Sequence, residues 1–204
     1  MYEWRSTPQV ECICPVKVTM KPLGVDRKKL HRLELTLKPF DLHTTTESDW
    51  IAINALFNRR RAESAPDDPP EPLTDTINGF QHRPAMIDAQ RWFIWHGNSP
   101  IATANASVMQ VESNQHILEF DLYVRPEWRR HGLATELLKE IVRRAHEKAR
   151  TMLLVNTTST VPAGAAFLTH IGAHVGLALQ ENQLLLAAVD RPLLQNWIAN
   201  AKTR

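Results

Sequence analysis

The stretch 118–147, LEFDLYVRPEWRRHGLATELLKEIVRRAHE, together with MLLV at 152–155, restricts the fold more than any other part of the chain. Phe120 and Leu122 alternate with Glu119 and Asp121, the period of a strand with two unlike faces. Beyond a short break, Leu133, Leu137, Leu138, Ile141, Val142 and Ala145 recur at helical spacing, while Glu136, Lys139, Glu140, Arg143, Arg144 and Glu147 take the other face. The apolar run 152–155 suits a strand buried on both sides. Strand, crossover helix and second strand therefore predict a parallel pair within a larger sheet.

The break itself carries chemistry. At Arg129, Arg130, His131, Gly132, Leu133, Ala134 and Thr135 the chain leaves a strand, turns at a glycine and opens a helix. The first amides of a helix lack intrahelical partners and lie at the positive end of its dipole, which suits a bound anion such as a pyrophosphate. Gly132 allows close backbone approach, Ala134 keeps the next turn slim, Arg129 and Arg130 add positive charge, and a protonated His131 supports a phosphate.

The flanking sequence supplies the rest of an α/β domain. Residues 10–16 place Val10, Cys12, Cys14 and Val16 at period two, interrupted by Pro15, and residues 1–30 read as an N-terminal extension. From His31 to Lys38 the alternation of Leu33, Leu35 and Leu37 with polar residues predicts a strand. Residues 44–48 offer helix caps before an apolar helix ending in Arg59, Arg60 and Arg61, which read as a solvated terminus. The segment 63–72, ESAPDDPPEP, is an exposed loop by its prolines, and a short helix over 74–80 is expected to close at Gly79. Strands over 91–96, 101–111 and 116–124 follow as an antiparallel meander, with GNSP and ESN turns between them.

After the crossover unit come a helix from Pro162 that stops near Gly172 and a hairpin of 173–180 with 183–189. Asp190 then caps a helix with Leu193, Leu194, Trp197, Ile198 and Ala201 on one stripe, expected to dock on this domain, a second copy or a second domain. The expected order is β-α-α-β-β-β-α-β-α-β-β, with residues 31–189 as the domain and 190–204 as a docking or linker helix.

Composition excludes several classes of function. A chain of 204 residues is long enough for one well-buried core and too short for two full domains. Its 24 basic and 22 acidic side chains nearly cancel, so no global field draws it to nucleic acid. No apolar run approaches the roughly 20 residues of a membrane span, and residues 1–30 lack a signal-peptide core, so a cytoplasmic location is expected. Cys12 and Cys14 fall short of a four-ligand zinc set, and His170 and His174 are separated by Gly172, so no metal site is expected.

With its strand-turn-helix context, the R-x-x-G-x-A pattern of Arg129, Gly132 and Ala134 resembles the [QR]-x-x-G-x-[GA] motif of the GNAT superfamily of acyl-CoA-dependent N-acyltransferases. The resemblance covers most of the chain, residues 33–189. It implies a mostly antiparallel mixed sheet with a central splayed parallel pair and helices on both faces. It further implies acetyl-CoA as cosubstrate. The main chain of Leu122, Tyr123 and Val124 would receive the acetyl and pantetheine portion, the amides from Arg130 to Thr135 the pyrophosphate, and Asn156 the pantetheine. The terminal helix resembles the linker of tandem members, implying a second such domain or a second copy as partner.

Acetyl transfer needs a neutral amine, whereas a lysine-like amine with a pKa of about 10.4 is mostly protonated near neutrality, so a base or water relay helps. Glu119 and Asp121 share one strand face near the implied thioester site; each is equally readable as a solvent-facing residue or a partner for Arg125 or Arg129. The family often places a tyrosine acid one turn before the glycine that ends the following helix. Aligned on Gly172, that position is Leu168, with Tyr123, Ser159 and His170 as the available substitutes. Two functions are thus expected: an N-acetyltransferase acting on a primary amine of a small molecule or peptide, or a non-catalytic acyl-CoA-binding or assembly domain. In the first, the acidic 63–72 loop would act as a lid favouring cationic amines.

Overall fold

A computed structural model of the protein describes residues 10–13, 16–17, 26–180 and 189–201. Its elements are β1 (Val10–Ile13), β2 (Val16–Lys17), α1 (Arg27–Arg32), β3 (Leu35–Pro39), α2 (Glu47–Ser64), α3 (Leu73–Gln81), β4 (Ile87–His96), β5 (Ser99–Met109), β6 (Ile117–Val124), α4 (Leu133–Glu147), β7 (Met152–Val155), α5 (Pro162–His170), β8 (Leu177–Gln180) and α6 (Arg191–Ala201). Six strands form one sheet in the order β2-β7-β6-β5-β4-β3, and β1 pairs with β8. Within the main sheet β6 and β7 are parallel and the other pairs antiparallel.

Both sheet faces are covered, as the patterning requires. Leu133, Leu137, Leu138, Ile141, Val142 and Ala145 bury the inner stripe of α4 in one core with Ala102, Ala104 and Ala106 of β5 and Leu118 and Phe120 of β6. The three alanines leave room for α4 to lie close to the sheet. A second cluster joins Ile53 and Leu56 of α2 to Phe93 of β4 and Tyr123 of β6, with Phe40, Phe57, Phe80 and Trp95 packed around it. Thr46 starts α2 with a reciprocal capping box: its hydroxyl accepts the Asp49 amide at 3.2 Å, and the Asp49 carboxylate accepts the Thr46 amide at 3.1 Å.

Several element boundaries differ from the sequence expectation for identifiable reasons. The strand expected from His31 begins only at Leu35, because Leu30 is buried as part of α1 and Glu34 turns the chain in the left-handed region at φ 54°. Leu33 shares the period of Leu35 and Leu37 yet packs against the core from that turn. Gly79 lies inside α3 and does not end it. The segment set apart as an extension supplies β1 and β2, the latter on the free edge of β7. Of the expected terminal hairpin, only β8 is described, and residues 181–188 lie outside the described residues.

Asp190 caps α6, accepting the Leu193 amide at 2.9 Å, while Leu194, Trp197 and Ile198 remain exposed. No helix among the described residues is long and apolar enough to cross a membrane.

Candidate functional site

The site is a gap in the sheet. The β6–β7 ladder runs from the Ile117/Met152 pair to the Phe120/Val155 pair, whereas β6 continues alongside β5 to Val124. Among the described residues Asp121, Leu122, Tyr123 and Val124 therefore have a ladder partner on one side only. The Arg125 amide donates to the Ile101 carbonyl at 2.9 Å, in the register that pairs Val124 with Ala102. By the alternation of an antiparallel ladder, the odd-numbered residues of β6 turn their main-chain groups toward β5, and Leu122 and Val124 turn theirs into the gap. The Val124 carbonyl accepts Arg129 Nε at 3.1 Å, which leaves the Leu122 N–H and C=O and the Val124 N–H facing an open edge.

At the end of that edge the chain makes the glycine turn. Arg130 and Gly132 are both left-handed, at φ 65° and 77°, and Gly132 is the N-cap of α4. Leu133, Ala134 and Thr135 form the first turn, so their amides have no intrahelical acceptor. Arg130 and His131 are exposed, and the His131 ring lies 2.8 Å from the Arg129 carbonyl through Nδ1. Arg129 points elsewhere: its Nη2 contacts both oxygens of Glu63 at 2.7 and 2.6 Å.

Glu63 belongs to a row on α2 that crosses the site. Arg59 pairs with Glu127 at 3.2 Å, Arg60 with Asp121 at 2.8 Å and Glu63 with Arg129. The Ser64 carbonyl accepts Thr160 Oγ1 at 2.8 Å, so the last turn of α2 holds the segments following both β6 and β7. The expectation that Arg59, Arg60 and Arg61 form a solvated helix end thus misses their partners. One signal was available: Ile53, Leu56 or Phe57, Arg60 and Glu63 continue a single helical stripe from the core toward β6.

The two strand carboxylates have different surroundings. Asp121 lies between Arg60 and Arg91, the latter at 3.4 Å. Burial works against its ionisation, but the two guanidinium groups outweigh that effect and hold its pKa below the usual range. Glu119, on the same strand face, is exposed and forms no ion pair among the described residues. Tyr123 is 6% exposed, and its hydroxyl has no hydrogen-bond partner among the described residues. Burial, reinforced by Glu63, pushes its pKa up to about 12.

Asn156 is exposed just past β7, while Leu168 is buried in the main core at 5% exposure, so α5 presents no acid at that position. His170 ends α5 and is exposed, and Ser159 is exposed in the turn before α5.

The expectation of an acidic lid is corrected by its partners. Glu63 is held by Arg129, Asp68 lies 3.3 Å from Arg61, and Glu71 lies 2.9 Å from Arg61 and accepts the Thr76 hydroxyl at 2.8 Å. Asn54 and Asn58 fix the same loop through the Glu71 carbonyl, each at 3.0 Å. Most of the loop's negative charge is neutralised within the fold, leaving little to attract a cationic amine.

Comparisons with known proteins agree with this architecture. A family model described as the acetyltransferase (GNAT) family matches residues 50–172. No curated protein matches the sequence. Among solved structures, a tandem GNAT protein from the clavulanic acid biosynthesis pathway aligns with a TM-score of 0.57 at 14% identity, covering 84% of this chain and 52% of its own; the present chain thus spans about half its length. The yncA protein of Salmonella typhimurium, solved with acetyl-CoA, aligns with a TM-score of 0.53 at 16% identity over 68% of this chain and 78% of its own. An aminoglycoside acetyltransferase from an uncultured soil metagenomic sample, in complex with sisomicin, gives 0.53 at 11% identity, covering 76% and 98%.

Proposed function

The chain belongs to the GNAT family of acetyltransferases, and from that premise we propose that it moves an acetyl group from acetyl-CoA to a primary amine of a small molecule or peptide. The observation that carries this reading is the unpaired edge of β6 running directly into the turn that opens α4. An extended pantetheine chain can add to such an edge as a further strand would, through the Leu122 main chain and the Val124 N–H, whereas the main-chain groups of Tyr123 between them are turned toward β5. The amides from Arg130 to Thr135, with the exposed Arg130 and His131, suit the pyrophosphate, and Asn156 lies at the far side of the gap for the pantetheine. Arg129 serves by holding the turn and α2 together. The neighbour solved with acetyl-CoA shares this fold, in agreement with the assignment.

In the reaction the acceptor nitrogen forms a bond to the acetyl carbon, the carbon–sulfur bond breaks, CoA leaves as the thiolate, and the nitrogen loses a proton. Of the two carboxylates, Glu119 is the better base, because Asp121 is an anion stabilised by two cations. Asp121 instead positions Arg60 and Arg91. The Tyr123 phenol, buried in the core against α2 and with a pKa of about 12, is a poor proton donor to a thiolate whose acid has a pKa of about 8.5. Such a thiolate leaves without much help.

The test is CoA thiol release with a panel of primary amines. Wild type should turn over, and Glu119→Gln should lose about a hundredfold at neutral pH, with the loss shrinking as pH nears the amine pKa. Absence of acetyl transfer to every amine, despite acetyl-CoA binding, would instead support a non-catalytic acyl-CoA-binding domain.

A further inference from the structure

Beside Asp121, on the sheet face covered by α2 and α3, lies a cleft of about 450 Å³, a size suited to a small molecule. Phe57, Arg60, Phe80, Arg83 and Arg91 are among its lining residues. The charges there are unevenly matched. Arg61 at the same cleft is answered by Asp68 and Glu71, whereas Arg60 and Arg91 share the single carboxylate of Asp121. Arg83 donates to the Ala89 carbonyl at 3.0 Å and has no ion pair among the described residues.

Arg91 lies 5.2 Å from the Phe57 ring centroid and 5.6 Å from that of Phe80, and its buried Nε has no hydrogen-bond partner among the described residues. Burial, opposed by Asp121 and reinforced by Arg60 and Arg83, lowers the affinity of Arg91 for its proton. Two guanidinium groups share one carboxylate and a third, Arg83, lines the same cleft, an arrangement that a further anion would stabilise.

We propose that this cleft holds a carboxylate of the acceptor, so that the acceptor is an amino-carboxylate with an apolar or aromatic body. A carboxylate offers the planar pair of oxygens that guanidinium forks match, and Phe57 and Phe80 supply an apolar wall for the body. Asp121 joins the cleft to the transfer site: its side chain holds Arg60 and Arg91, and its main chain begins the unpaired edge of β6. The inference rests on the acetyltransferase reading for its account of the amine, while the carboxylate site stands on the cleft alone.

The two parts are separable by experiment. Ligand-observed NMR with phenylacetate and phenylacetamide, which carry no amine, reads the carboxylate site directly. Phenylacetate should bind about tenfold more tightly, and Arg83→Gln should abolish that preference, with unchanged thermal melting as the folding control. In thiol-release assays phenylalanine should be preferred to phenylalaninamide by a similar factor, again through Arg83.

Equal binding of the two NMR probes, or no binding of phenylacetate, overturns the carboxylate site even if acetyl transfer is observed. Failure of acetyl-CoA to bind overturns the acetyltransferase reading whatever the NMR result.

Discussion

Arg129 Nη2 lies 2.7 and 2.6 Å from the two oxygens of Glu63, while Arg129 Nε is held by the Val124 carbonyl at 3.1 Å. One side chain thus joins the end of β6, the turn that follows and the last turn of α2. The arginine that begins the motif in the sequence acts here as a brace, and the exposed side chains beside the turn are Arg130 and His131.

Cutting this brace should loosen the turn and the last turn of α2 together. Glu63→Ala leaves a partly buried guanidinium without its carboxylate, and should cost about 1.5–3 kcal/mol in urea unfolding. Weaker acetyl-CoA binding should accompany that loss, because the turn would no longer be fixed. Unchanged stability and binding would show the ion pair to be incidental.

The Asp121 pair predicts a pH dependence of definite sign. A native pKa below the usual range means that folding favours the ionised form. The stabilisation is therefore present above the unfolded value of about 3.9 and fades as pH falls through the lower native value. Asp121→Asn should cost about 1–2 kcal/mol at neutral pH, and the difference from wild type should narrow in acid. A difference that widens in acid would contradict the assignment.

Tyr123 predicts the opposite behaviour with alkali. The difference between wild type and Tyr123→Phe in ultraviolet absorbance should titrate with a midpoint of about 12. Because the native value is raised, its contribution is intact below the unfolded value of about 10 and is lost as pH rises through the native one. Removing its unpartnered buried hydroxyl should leave neutral-pH stability unchanged or raise it by about 1 kcal/mol. A large loss of turnover in Tyr123→Phe would show the phenol to be the acid after all.

Gly164 predicts a steric effect next to the gap. A Cβ at this position of α5 would overlap Thr157 Oγ1 in the turn after β7. Gly164→Ala should destabilise by about 1–3 kcal/mol, and Thr157→Ala should recover most of that loss in the double variant. Additive losses would place the strain elsewhere.

The crossover unit was legible in the sequence because its signals are local. The stripe of Leu133, Leu137 and Ile141, the run Met152–Val155 and the turn at Gly132 each report a neighbourhood of a few residues. What escaped was set by distance: Asp121 and Arg60 are separated by 61 positions and Arg129 and Glu63 by 66, so no spacing rule links them. For the same reason the carboxylates of 63–72 read as free acids until Arg61 and Arg129 were placed beside them. At the N-terminal end, Leu33, Leu35 and Leu37 fit a period of two across a turn and a strand alike.

The most direct test of the account is acetyl-CoA binding measured by thermal or chemical unfolding of wild type and Gly132→Val. The left-handed φ of 77° at Gly132 disfavours a β-branched side chain, so the variant should lose the turn that presents the first amides of α4. At about 100 times its Kd, acetyl-CoA should add about 2.7 kcal/mol to the stability of wild type and little to that of the variant. No stabilisation of wild type, or equal stabilisation of both proteins, would contradict the assignment of the β6 edge and the Gly132 turn as the cosubstrate site.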